Sequence, residues 1–305
     1  MKKKIKVIFI TFTIITFIGT AAILMTIGND KIHFIHTGYS DAILIESNNK
    51  FALIDAAENN KLNNKEINLE SDEGVVKYLD DLNIDKLEFC LGTHAHSDHI
   101  GGMDSIINKY KVNKLYIKKY NPKKLIDEEF KYNNQEVYDD MIKAANNKSV
   151  EIIHPSDSNN EFSLGDFKIK IVNYEETTKD KISENANSLG IEITKGRNKI
   201  FLAGDINNED GDEDKLAKTI GKVNVLKVGH HGLKGSSSEN FIKSLHPKIS
   251  VVTGKKETFD KDVEKRLNST NSKIYITGEC GHVITIIYNN FTSCHSLPDV
   301  HNKLL

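Results

Sequence analysis

Hydrophobic and polar positions along this chain fall into two regimes. The first is an uncharged run from Val7 to Ile27, preceded by Lys2, Lys3, Lys4 and Lys6. It is apolar on every face, so a helix there has no side to show to water. Those 21 residues would span roughly 31 Å as a helix, about one hydrocarbon core. The basic flank predicts a cytoplasmic start and a single-pass anchor in the cell membrane, with the rest of the chain extracellular. A cleaved signal peptide is the competing reading, and it gives a secreted protein instead. Residues 1–28 are set apart on that basis.

Beyond Asn29 the spacing becomes that of mixed strands and helices. Lys31–Ile35, Ala42–Glu46 and Phe51–Asp55 read as strands, and Asn59–Ser71 as a polar loop. Val75, Val76, Leu79 and Leu82 mark a helix over Asp72–Leu82. A buried strand follows at Leu87–Leu91, then a helix carrying Ile100, Met103, Ile106 and Ile107, and a strand at Lys114–Lys118. The charged stretch Asn121–Lys148 reads as a helical excursion, and Val150–Ile153 as a strand. In the second half Phe167, Ile169 and Ile171 alternate with polar residues, as do Leu189, Ile191 and Ile193, which is the signature of half-buried antiparallel strands. Apolar runs at Lys199–Ala203 and Val223–Val228 are followed by helix–strand pairs, and Val283–Tyr288 reads as the last strand. Each half is therefore strands followed by helix–strand units. The architecture expected is mixed α+β/α/β: two sheets face to face with helices outside, an αββα sandwich of four layers. It forms one domain over residues 30–293, with a tail at 294–305.

Composition changes this picture little. A net charge of −2 argues against sequence-independent nucleic-acid binding over the whole surface, though it leaves room for a local basic patch. Cys90, Cys280 and Cys294 form no CxxC pair, so a thiolate zinc knuckle is not expected; a disulfide between the last two is left open.

The chemistry concentrates after the strand Leu87–Leu91, in "GTHAHSDHIGG" (Gly92–Gly102). Imidazole and carboxylate are the usual ligands of zinc and similar divalent ions. In an extended segment His94 and His96 point the same way and converge on one ion. Asp98 and His99 come after the chain has begun to turn and serve a second ion nearby, at the separation of a two-metal site. Gly101 and Gly102 leave room for a close backbone approach. Two later strand ends offer the remaining ligands. Asp205 closes "IFLAGD" and suits a bridge between ions. His230 and His231 close "VLKVGHHG"; one completes the metal set, His231 by preference, and the other faces substrate. Asp55 reads as a brace for the motif loop. Lys118 and Lys119 are candidates to face an anionic substrate, and Tyr120 an organic cation, although surface lysines are commonly only solvated. The other histidines, His154 and His282 among them, read as packing or surface residues.

These residues carry a resemblance. "THAHSDHIGG" matches the HxHxDH signature of the metallo-β-lactamase fold superfamily, with "LAGD" and "GHHG" where its later metal motifs fall. "FIHTGYSDAILIESNNKFALIDAA" resembles the opening strands of an extracellular subgroup that includes the metallo domain of the DNA-uptake competence protein and the catalytic module of the phosphorylcholine esterase of choline-binding proteins. "LYIKKY", "NSLGIEI", "FLAGDINN" and "IGKVNVLKVGHHG" extend the likeness over residues 31 to 290. It implies two divalent cations, zinc first with manganese or iron as alternatives, and a hydroxide bridging them as the nucleophile. It implies a phosphoester substrate, a small molecule or a surface glycan or lipid, with a competence-type nuclease and a non-catalytic metal-bearing module as alternatives. The catalytic residues it implies are Asp98, His230 and His231, and the metal residues His94, His96, Asp98, His99, Asp205 and His231. Two departures stand out. Many members supply a further histidine before the bridging aspartate, near Asn185–Ser188 here, where there is none; the only histidine in that interval is His154. The choline-binding esterase also carries Trp-rich wall repeats, and this chain has no Trp.

Overall fold

The computed structural model describes residues 30–59, 68–209 and 211–297. The proposed anchor at 1–28 lies outside the described residues, and no helix among those described is long and apolar enough to cross a membrane.

Two sheets make the framework. The first has eight strands, in the order Thr292–Leu297, His282–Ile287, Lys31–Phe34, Ile43–Ser47, Lys50–Ile54, Phe89–Leu91, Lys114–Tyr116 and Glu151–Ile153. The second has seven, in the order Lys273–Ile276, Ile249–Val252, Val225–Lys227, Asn198–Leu202, Gly190–Lys195, Phe167–Val172 and Glu161–Leu164. Both begin as antiparallel meanders and continue as parallel strands with helical crossovers. The hairpin from Ile43 to Ile54 turns on Asn48 and Asn49, which both take positive φ (50° and 57°), as a two-residue turn matched to the strand twist requires.

Alternation decides which faces meet. In Phe167–Val172 the apolar Phe167, Ile169 and Ile171 are buried while Lys168 and Lys170 are exposed. Those residues pack with Ile191 and Leu202 against Phe34, Ile45, Ile54 and Leu91 of the other sheet. A second apolar cluster lies under the helices Asp72–Asp81, Met103–Lys109 and Asn134–Asn147, through Val75, Leu79, Met103, Ile106 and Met141. A third lies under Asp212–Ala217, Glu239–Leu245 and Lys261–Ser269, through Leu216, Phe241, Ile242, Val263 and Leu267. Each fully buried Leu, Ile or Phe contributes about 1.5–3 kcal/mol against exposure. Three apolar seams between four layers are the expected αββα sandwich.

Two segments differ from expectation. The excursion Asn121–Lys148 is not one helix. Pro122 and the Asn121 side chain, which accepts the Lys123 N–H, fix a short 3-10 turn; a second spans Asp127–Lys131, and the α-helix begins only at Asn134. The last strand is Thr292–Leu297 rather than Val283–Tyr288. It is polar along most of its length and pairs at the sheet edge, where no apolar face is needed. Cys90, Cys280 and Cys294 are all free thiols, so the open disulfide is not formed.

Candidate metal centre

Parallel pairing places the chemistry. Lys50–Ile54 runs parallel to Phe89–Leu91, and Asn198–Leu202 parallel to Val225–Lys227, so within each sheet the carboxyl ends share an edge. Asp55, the Thr93–His99 loop, Asp205 and His231 leave those ends and meet between the sheets. The close approach at Gly102 is real: a Cβ there would stand 2.3 Å from Asp72 Cβ and 2.4 Å from the Ala56 carbonyl oxygen.

Asp55 is the hub of the motif loop. It is fully buried and holds a positive φ of 57°, unusual for a residue with a side chain. Its Oδ1 accepts the Thr93 N–H at 2.7 Å, and its Oδ2 accepts the Thr93 hydroxyl and the His99 Nδ1–H, each at 2.8 Å. His231 is fixed in the same way, with Nδ1–H donating to the Thr253 carbonyl at 2.8 Å. It and His230 both sit in the left-handed region, at φ 51° and 50°. His96 gives Nε2–H to Glu129 at 2.8 Å.

The consequence is a convergence of ring nitrogens. With Nδ1 of His99 and of His231 donating elsewhere, each ring turns its Nε2 inward, and the two lie 3.3 Å apart. With Nε2 of His96 engaged by Glu129, its Nδ1 faces His94 Nε2 at 3.0 Å, while His94 Nδ1 is held by the Ser188 and Thr93 hydroxyls at 3.2 and 3.1 Å. Two ring nitrogens this close need a proton or a cation between them. Carboxylates crowd the same space. Asp205 Oδ1 is 3.2 Å from His99 Nε2, and Asp98 Oδ2 is 3.3 Å from His231 Nε2. His94, His99 and Asp205 form one set whose ligand atoms lie within 4.8 Å of one another, and Asp98, His99 and His231 another. This donor set fits divalent cations, and the second ring nitrogens of His96, His99 and His231 are engaged by carboxylate or carbonyl as those of metal-binding histidines usually are, while that of His94 meets hydroxyls.

The electrostatics reflect the crowding. Burial favours a neutral His99, but Asp205, Asp98 and Asp55 outweigh it and hold its pKa well above the ordinary value. Burial, aided by His99 and His96, drives His94 well below it. Asp98 is lowered to about 2 because His99 and His231 outweigh its burial.

Sequence expectations and geometry can be matched residue by residue. His94, Asp98, His99, Asp205 and His231 fall in the ligand sets. His96 stands beside His94 with its Nδ1 inward. His230 is set further out. It is 23% exposed, against 1% for His231, with Nε2 3.3 Å from the Asn185 amide and 4.0 Å from Asp205 Oδ2. His154 is turned elsewhere, donating from Nδ1 to the Ile117 carbonyl, and His282 accepts the His36 N–H. Where a further histidine was sought, Ser188 supports His94 instead. Three residues were not singled out beforehand. Asp41 joins two of the candidate ligand sets, one with Asp205 and His231. Lys227 is fully buried, in contact with Asp41 and 3.6 Å from Asp205 Oδ1. Glu129 supports His96 from the excursion. A carboxylate in "SDAIL" and a lysine in the apolar "NVLKV" were the available signals.

The chain is 29% identical over 182 residues to ComE operon protein 3 of Bacillus subtilis (strain 168), covering 60% of this chain and 22% of that protein. It is 37% identical over 71 residues to Recombination protein 2 of Haemophilus influenzae, covering 23% of this chain and 9% of that protein. It thus spans less than a quarter of the length of either relative. The metallo-beta-lactamase fold protein YhfI from Bacillus subtilis superposes with a TM-score of 0.51 at 11% identity, over 87% of this chain and all of that one, a likeness of fold alone. Residues 37–253 match the family described as the Metallo-beta-lactamase superfamily. With most of its length in that match and the motif residues gathered at the strand ends, the chain belongs to the metallo-β-lactamase superfamily.

Proposed function

We propose that the protein hydrolyses phosphodiesters with two divalent cations, zinc in the first instance, and that its substrate is a nucleic-acid strand. One observation carries the hydrolytic reading: two pairs of imidazole nitrogens turned on each other, at 3.0 and 3.3 Å, with carboxylate oxygens beside them. His94 and His96 would hold one cation, Asp98, His99 and His231 the other, with Asp205 between them. A cation pair of this kind makes water acidic enough to serve as nucleophile near neutral pH and neutralises charge on the phosphoryl oxygens. The chain's own groups do the rest. Asp55, Glu129 and the Thr253 carbonyl hold three of the rings in one orientation, which avoids reorganisation during reaction. His230, outside the ligand sets, is the ring left to hydrogen-bond a phosphoryl oxygen. Tyr39 packs on His231 at 5.0 Å between centroids. Burial and the charges of Asp205 and Asp98 push its phenol up to about 12, so it stays a donor.

For substrate, the likeness to Recombination protein 2 and ComE operon protein 3 favours DNA over the phosphorylcholine ester suggested by motif resemblance. The test is turnover by the purified protein, with zinc or manganese, on bis-p-nitrophenyl phosphate, p-nitrophenylphosphorylcholine and single-stranded DNA. Cleavage of the simple diester and of DNA is expected, with a loss of roughly 1,000-fold or more in Asp205→Asn. Equal activity in that variant would remove the two-metal reading. Turnover of the choline ester alone would replace the substrate.

A further inference from the structure

A cavity of about 450 Å³ is lined among others by Lys118, Lys119, Tyr120, Lys124, His154 and Tyr174. Lys118 leaves the carboxyl end of Lys114–Tyr116, a neighbour of the strand that leads into the histidine loop. It makes no hydrogen bond and no ion pair among the described residues. Burial pulls its ammonium down to about 8, although Asp212, Glu184 and Glu175 act weakly in the opposite sense. Glu184 makes no ion pair with it; its Oε1 takes the Ala95 N–H at 2.9 Å and its Oε2 the Asn187 amide at 2.8 Å. Lys118 is half-buried, and a partly desolvated ammonium without an ion-pair partner is relieved by an anion arriving in the cavity.

The surroundings are built rather than loose. The Tyr174 hydroxyl donates to Asp157, His154 is pinned to the Ile117 carbonyl, and the Tyr120 ring packs on Tyr138 at 5.6 Å. One lining residue is linked to the centre through hydrogen bonds. Asn187 lines the cavity and bonds to Glu184, and Glu184 holds the backbone of Ala95, between His94 and His96.

We propose that this cavity is a phosphate subsite: Lys118, with Lys119 and Lys124 about it, takes the oxyanion of a second phosphate on the substrate strand, one that is not cleaved. An ammonium serves here as a point charge for phosphate, and the tyrosine rings offer faces to an adjoining base or sugar. The inference rests on the phosphodiesterase reading, and its test is designed to survive failure of that reading. A labelled oligothymidylate is titrated by anisotropy into the full-length protein in EDTA, with no turnover, for the unmodified chain, Lys118→Met and Lys118→Arg. Binding should weaken about tenfold in Lys118→Met, recover in part in Lys118→Arg, and lose about 0.7 from its salt slope, the share of one single-strand phosphate contact. With metal restored, KM for the oligonucleotide should rise in Lys118→Met, while kcat and KM for bis-p-nitrophenyl phosphate, which has one phosphate, stay as they were. Unchanged oligonucleotide affinity in Lys118→Met would overturn the subsite. So would a Lys118-dependent affinity for inorganic phosphate with none for the strand. Absence of any turnover, with the affinity difference intact, would instead overturn only the hydrolytic reading.

Discussion

At the scale of single residues, Glu129 shows how much of the centre is held from outside it. Its carboxylate accepts His96 Nε2–H at 2.8 Å, the Ser183 hydroxyl at 2.9 Å and the Glu184 N–H at 2.9 Å, and is itself buried. Glu129→Gln keeps the volume but turns an acceptor pair into a mixed group, so His96 loses its charged partner and its fixed tautomer. Metal affinity should fall roughly 10–100-fold with the fold intact. Competition of the purified variant against a zinc chelator reads this directly, and affinity equal to that of the unmodified chain would refute the role. The role was not legible in sequence. Glu129 is 33 residues from His96 and lies among acidic neighbours that face solvent, so nothing in its local pattern separates it from them. His94, Asp98 and His99 were legible because one loop carries them at the spacing their geometry demands. Asp55 was legible as a brace because a carboxylate at the end of an apolar strand has to find a donor.

At the scale of elements, the edge where the parallel strands end decides what the loops can do, and tight contacts there transmit directly to the ligands. Gly102 follows His99 by three residues and starts the helix Met103–Lys109. An added Cβ meets the Ala56 carbonyl at 2.4 Å, and the Ala56 N–H in turn donates to the His99 carbonyl at 2.7 Å. Gly102→Ala must therefore displace either the helix start or the Ala56 segment. Overpacking of this kind costs about 1–3 kcal/mol, seen as a lower urea midpoint. Activity should fall further than stability, because the shift passes to His99; a variant with unchanged midpoint and rate would show that the backbone yields freely. The same edge explains what periodicity could reveal. Strands with one face in the seam, such as Phe167–Val172, alternate and were readable. Thr292–Leu297 has little apolar alternation and needs none at a sheet edge, so only its pairing defines it. The segment before Asn134 is held by Pro122 and by a bridge between Leu125 and Ile182, a long-range contact that local propensity cannot contain.

At the scale of the whole molecule, the centre joins two halves. Asp41, Asp55 and the histidine loop come from the first sheet's side; Asp205, Lys227 and His231 come from the second's. Backbone bonds already cross the seam, from Leu189 N–H to the Thr93 carbonyl at 2.9 Å. Cations held by both halves add a tie that the unfolded chain lacks, so loading should stabilise the native state by about 2.7 kcal/mol at a free metal concentration 100 times Kd. For a domain of this size that corresponds to a rise in Tm on the order of 5 °C. Chelation should reverse it and expose the second tie. Without cations, buried Asp41 has Lys227 for its contact, the one fully buried lysine among the described residues, and the same ammonium stands 3.6 Å from Asp205 Oδ1, beside the rings of His99 and His231. Removing one member of a buried charge set costs roughly 3–5 kcal/mol. Lys227→Met should accordingly melt lower than the unmodified chain in EDTA, and the gap should narrow with zinc, whose charge offsets the same carboxylates. Thermal melts of both proteins, with and without zinc and with metal content measured in each sample, decide the matter. A gap independent of metal would mean that Lys227 serves packing alone. A Tm unmoved by verified removal of metal would mean that the two halves are not tied through the centre at all.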